Sequence, residues 1–164
     1  MKKNKIILIG FMGCGKSTIA KALAKRLDYK LIDTDALIEQ RLGLSVKEIF
    51  AQRGEAFFRA QEKALASELK ELKNAVIATG GGFYEALSAD ESALVVYLKA
   101  SFNYIRARLN KAGLEKRPLF KDEKAARELY KSRLKGYESK ANLIVLVEHK
   151  SVLELINLIM KGRL

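Results

Sequence analysis

The chain has 164 residues, enough for one domain around one core, with 49% apolar residues, one proline, no tryptophan and no low-complexity tract or internal repeat, which predicts a compact globular protein. Its single cysteine, Cys14, excludes an internal disulfide and supplies no metal-binding pattern, so a reducing cytoplasm is the expected setting. The net charge of +12 suits anionic ligands, but the basic residues mix with glutamates in helical stretches such as Lys63 to Lys73, and no aromatic-interleaved basic ribbon accompanies them, so nucleic acid is not an expected partner.

Lys2, Lys3 and Lys5 ahead of Ile6-Ile7-Leu8-Ile9 superficially suggest a signal peptide. The run is too short for a membrane span and Lys16 interrupts it before any small-residue cleavage site, so it reads as a strand and no membrane association is expected. Directly after it, Gly10 to Thr18 read GFMGCGKST, the full G-x-x-x-x-G-K-[ST] phosphate-binding loop between a strand and a helix. Glycines there let successive N–H groups turn toward a phosphate chain, and the helix from Lys16 adds its positive end. Gly13, Cys14, Gly15, Lys16, Ser17 and Thr18 are the expected nucleotide contacts, with Lys16 reaching the β- and γ-phosphates, Ser17 holding Mg²⁺ and Thr18 on the base or α-phosphate side.

A second strand, Lys30 to Ile32, leads into Asp33-Thr34-Asp35. If the extended geometry persists, both carboxylates share a side; Asp33 would then hold Mg²⁺ through water and Asp35 would orient or accept the proton of an attacking hydroxyl. The same pair also reads as a cap on the next helix. Ser45-Val46-Lys47-Glu48 is a capping box, and Gly54 separates its helix from a longer one running to about Lys73, with Phe57, Ala60, Ala64, Leu65, Leu69 and Leu72 as the apolar stripe. Arg59 opens that longer helix, with Glu62 one turn on as its brace. The third strand, Ala75 to Ala78, ends in Thr79-Gly80-Gly81-Gly82, more glycine than a turn needs. After the fourth, Ala93 to Leu98, the segment Asn110 to Lys124 carries Arg117 next to the lone Pro118 and reads either as an exposed loop or as a lid bringing Arg117 over the phosphates. Arg133 lies on a following helix, Leu143 to Val147 is the fifth strand, and Ser151-Val152-Leu153-Glu154 is a second capping box.

Short apolar runs alternating with helical patterns predict an α/β fold with a five-stranded parallel sheet in one domain over 1–164, and two excursions, 33–62 and 110–124. Ligands should collect beyond the carboxyl ends of the strands.

Taken in order, GFMGCGKST, Asp33-Thr34-Asp35, Gly54-Glu55 with Phe58-Arg59, Gly80-Gly81-Gly82, Arg117-Pro118-Leu119 and Arg133-x-x-x-Tyr137 resemble the shikimate kinases over nearly the whole chain. DTDALIEQRLGLSVKEIFAQRGEAFFR is the most specific stretch, because the phosphate loop alone occurs in many NTPases. The resemblance implies a three-layer P-loop kinase fold with strand order 2-3-1-4-5, a substrate-binding excursion and a mobile lid. It implies ATP as co-substrate with Mg²⁺, and transfer of the γ-phosphate to the 3-hydroxyl of shikimate by a cytoplasmic monomer of the aromatic amino-acid pathway. By the same resemblance Asp35 contacts the substrate hydroxyls, Arg59 and Arg133 grip its carboxylate, Gly81 adds a backbone contact, and Phe50 and Phe58 line the pocket. Arg117 approaches the phosphate and Arg108 packs on adenine. Cys14 and the pair Lys135-Gly136 depart from the family's usual residues, and 110–116 is somewhat long.

Overall fold

A computed structural model describes residues 3–112 and 121–163. The lid residues Arg117, Pro118 and Leu119 lie outside the described residues. Five strands, β1 (Lys5–Ile9), β2 (Lys30–Asp33), β3 (Ala75–Ala78), β4 (Ala93–Lys99) and β5 (Leu143–Leu146), form one sheet in the order β2-β3-β1-β4-β5. Every pairing is parallel, with Ile7 of the central strand in register with Ile77 on one side and Val95 on the other.

The apolar runs of β1, β3 and β4 form strands because both of their faces are covered, whereas Leu31 of β2 and Ile144 and Leu146 of β5 are exposed at the sheet edges. All five β1 residues are buried, and successive side chains point to opposite faces. On one face Ile7 and Ile77 line a small cavity together with Ala66 and Leu69 of α4 (Glu55–Leu69). On the other, α1 (Lys16–Leu27) packs on β1 and β3 and against α7 (Val152–Gly162). The remaining helices are α2 (Thr34–Leu42), α3 (Val46–Arg53), α5 (Phe102–Ala112) and α6 (Glu123–Lys140). Both expected capping boxes form, at Ser45 with Glu48 and at Ser151 with Glu154.

Two expectations shift. The long helix ends at Leu69, four residues short of Lys73, because the ammonium of Lys5 takes the carbonyls of Leu69 and Lys70 at 2.9 and 2.8 Å and closes the helix there. Its inward face is Phe58, Glu62, Leu65, Ala66 and Leu69; Ala60 and Ala64 are exposed, so the stripe turns a little from the predicted one. Lys5 is itself wholly buried and is paired with Asp90 at 2.8 Å.

In this order, chain from β1 turns toward β2 and β3 on one side and toward β4 and β5 on the other. The crevice beyond the carboxyl end of β1, where the order reverses, is where an open α/β sheet collects its ligands.

Candidate active site

The loop after β1 is shaped for phosphates. Gly13 and Gly15 adopt φ of +80° and +103°, the left-handed region that side chains with a Cβ avoid, and Gly15 caps α1. A Cβ on Gly15 would also stand 3.0 Å from Arg108 Nη1, which donates to Gly13 O at 3.2 Å. Arg108 of α5 therefore lies over the phosphate loop. Lys16 is buried, and its ammonium donates to Gly10 O at 2.5 Å and Phe11 O at 3.0 Å, which anchors a charge inside the loop's curl. Cys14 is fully buried with its sulfur 3.8 Å from that ammonium, so it packs beneath the loop and presents no exposed thiol. Ser17 and Thr18 are exposed on the first turn of α1.

A cavity of about 360 Å³ joins this loop to the ends of β2 and β3, with Lys16, Ser17, Asp33, Asp35, Gly81 and Arg108 in its wall. Asp33 and Asp35 converge there, but the extended geometry stops at Asp33. Asp33 caps α2, accepting from the N–H of Ala36 at 3.0 Å, and Asp35 sits in the first helical turn. Asp33 thus caps the helix, as the capping reading expects, and the residue also lines the cavity. Thr34, between them, is fully buried and accepts the N–H of Gly80 at 3.0 Å.

The three glycines after β3 have a steric purpose. None of them needs a positive φ. A Cβ on Gly80 would fall on the Asp35 carboxylate, one on Gly82 would fall on the Arg59 guanidinium, and one on Gly81 would stand 2.9 Å from Arg133 Nη1. Each glycine is therefore the floor beneath one of the three expected acceptor residues. Arg59 is held by Glu62 at 2.5 Å and Glu55 at 3.2 Å. Glu62 is only 1% exposed, so this is no ordinary surface ion pair; its other oxygen is buried with no hydrogen-bond partner among the described residues.

The electrostatics tie these groups together. Burial pushes the Glu62 carboxyl up, Asp35 adds to the rise, and Arg59 and Arg133 oppose it without cancelling it. Burial works against the charge on Arg59, yet its bonds to Glu62 and Glu55 outweigh that and raise its pKa. Phe50 and Phe58 stack on each other, ring centroids 5.0 Å apart, with Phe58 buried and Phe50 exposed. Phe50, Phe58, Arg59 and Arg133 are not part of the cavity's immediate wall; Arg133 stands over Gly81, which lines it, and Arg59 over the next glycine, Gly82.

Among the described residues no three His, Cys, Asp or Glu side chains form a metal cluster. The Ser17 hydroxyl and the Asp33 carboxylate do share the cavity, and an all-oxygen pair of this kind suits a hard cation that takes its other ligands from phosphate and water. The arrangement can thus bind a polyphosphate at one end, hold a small anion at the other, and present a carboxylate between them. Sequence reasoning left the roles of Thr34, Gly80 and Gly82 unassigned. The surplus of glycine was the available signal for the last two, and for Thr34 there was none beyond its place between two aspartates.

A model of the shikimate kinase family matches residues 12–162 of the chain. Shikimate kinase of Clostridium botulinum (strain 657 / Type Ba4) is 40% identical over 156 residues, covering 92% of each chain, and that of Helicobacter hepaticus (strain ATCC 51449 / 3B1) is 43% identical over 143 residues, covering 87% and 86%. Shikimate kinase from Acinetobacter baumannii, solved in complex with shikimate, superposes with a TM-score of 0.84 at 30% identity over 96% of this chain and 91% of that one. A gluconokinase from Sinorhizobium meliloti 1021, with a TM-score of 0.61 at 16% identity over 98% and 91%, shares the fold alone.

Proposed function

The chain belongs to the shikimate kinase family, and on that premise we propose that it transfers the γ-phosphate of ATP to the 3-hydroxyl of shikimate, giving shikimate 3-phosphate and ADP. The observation that carries this reading is the glycine floor, with Asp35, Arg133 and Arg59 each standing over one member of Gly80-Gly81-Gly82. Shikimate is a small hydroxylated ring with one carboxylate. Two guanidiniums bind a carboxylate by planar, charge-assisted hydrogen bonds, which fixes the ring and leaves one hydroxyl toward Asp35. Phe50 and Phe58 would support the ring's apolar edge.

At the other end Gly13, Cys14, Gly15, Lys16, Ser17 and Thr18 would wrap the phosphates with their backbone N–H groups. Lys16 would exchange a carbonyl bond for the β- and γ-phosphates, neutralising charge as it builds. Ser17, and Asp33 through water, would hold Mg²⁺, which would supply positive charge against the phosphates during transfer. Asp35 orients the acceptor hydroxyl and takes its proton as the new P–O bond forms and the bond to ADP breaks. The transition state of phosphoryl transfer is loose, so alignment matters more than base strength. Arg117 would enter over the phosphates and Arg108 would pack on adenine, consistent with its seat on the phosphate loop. The protein would act as a monomer of one domain in the cytoplasm, in the pathway that shikimate 3-phosphate feeds.

Arg59→Ala and Arg133→Ala test the clamp. Each should raise the KM for shikimate on the order of a hundredfold, with the KM for ATP little changed. An unchanged KM for shikimate in both variants contradicts the clamp.

A further inference from the structure

Asp35, Arg133 and Arg59 all rest on the Gly80-Gly81-Gly82 turn, so whatever holds that turn sets the acceptor site. Its backbone groups can be followed one by one. Gly80 donates its N–H to Thr34 Oγ1 at 3.0 Å. The carbonyl of Gly80 accepts from Phe83 N–H at 3.1 Å and that of Gly82 from Glu85 N–H at 3.4 Å. The carbonyl of Gly81 is taken by a side chain from far along the chain, the hydroxyl of Tyr137, at 2.6 Å. Among the described residues the N–H groups of Gly81 and Gly82 have no hydrogen-bond partner.

Tyr137 is fully buried and fixed between two other rings, Tyr84 at 4.7 Å and Tyr97 at 5.1 Å between centroids. Gly136, the residue that departs from the family's usual pair, makes room for this packing, since a Cβ there would fall on the Tyr84 ring. One helical turn before Tyr137, Arg133 of the same α6 face lies over Gly81. A trans peptide is planar, with its C=O and N–H on opposite sides. Fixing the carbonyl of Gly81 therefore fixes the N–H of Gly82 on the side away from the phenol. Glycines flanking that peptide would otherwise leave it free to rotate.

We propose that Tyr137 is a positioning residue for the acceptor: its hydroxyl fixes the Gly81–Gly82 peptide so that the turn's two unpartnered N–H groups receive the substrate carboxylate between Arg59 and Arg133. This deepens the shikimate reading and rests on it. Tyr137→Phe keeps the ring stack and removes only the hydroxyl. It should raise the KM for shikimate about tenfold while kcat and the KM for ATP stay within about twofold, and it should abolish the shift of the Gly82 amide proton when shikimate is titrated in. A 4-aminophenylalanine at position 137, which restores a donor at the same place, should return the KM to near the wild-type value. An unchanged KM for shikimate in Tyr137→Phe overturns the proposal, as does a parallel loss in kcat and both KM values, the mark of a merely structural role. A folded 4-aminophenylalanine variant that fails to recover the KM also overturns it. No turnover of shikimate by the wild-type chain would instead overturn the reading on which the proposal rests.

Discussion

Glu62 carries an unusual load for a single side chain. One oxygen grips Arg59, the other has no hydrogen-bond partner among the described residues, and burial raises its pKa above the usual carboxylate range. A carboxyl whose pKa is higher folded than unfolded contributes stability that is fully present below the unfolded value, about 4.3, and is lost as pH rises through the folded value. Glu62→Gln has no such titration. Denaturant midpoints followed from about pH 4 upward should therefore show the wild type losing stability relative to Glu62→Gln, and parallel curves would contradict the assignment. The ion pair still serves the site, because it holds the guanidinium over Gly82, where a substrate carboxylate can reach it. Ground-state stability at this residue is exchanged for a preformed cation.

At the scale of elements, the strands were legible because both faces of each central run are covered, which leaves continuous apolar sequence, and the two capping boxes were legible because their logic is local. The end of α4 was not legible. Lys70-Glu71-Leu72-Lys73 continues a good helical composition, and what stops the helix is an ammonium that lies 64 residues away in sequence. The glycine triplet was half legible: it held more glycine than a turn needs, but which side chain would stand on which glycine depends on α2, α4 and α6 arriving together. Asp33-Thr34-Asp35 was legible as a pair of carboxylates, whereas the inward turn of Thr34 follows from helix geometry starting one residue after the strand.

The Lys5 contact also gives a stability prediction for α4. Burial acts against the Asp90 charge, but its bonds from Lys5 and Ser92 outweigh that and hold its pKa below the usual range. A depressed carboxyl contributes stability that is present above its unfolded pKa and lost as pH falls through the folded one. Asp90→Asn leaves a wholly buried ammonium with carbonyl partners only, and should cost about 3 kcal/mol at neutral pH. The difference from wild type should shrink in acid below the ordinary aspartate range. Urea unfolding at neutral and acidic pH measures both; a constant difference would contradict the pairing as the cause.

For the whole molecule, one sheet with helices on both faces and a core running through β1, α1, α4 and α7 predicts a single cooperative thermal transition. The excursion over 33–62 belongs to that unit, because α2 and α3 pack on each other and α4 runs from the excursion into the core. A separate early transition for it would contradict a single domain. A ligand at a hundred times its Kd should add about 2.7 kcal/mol to the unfolding free energy, for a nonhydrolysable ATP analogue and for shikimate alike.

The acceptor is what remains to distinguish, since the fold is shared with a gluconokinase. ADP release from Mg-ATP, with shikimate, gluconate, AMP and CMP offered separately and Asp35→Asn as the control, tests it directly. Turnover with shikimate alone, lost in Asp35→Asn, is the expected result. Turnover with one of the other acceptors, or undiminished turnover of shikimate by Asp35→Asn, would contradict the assignment of Asp35, Arg59 and Arg133.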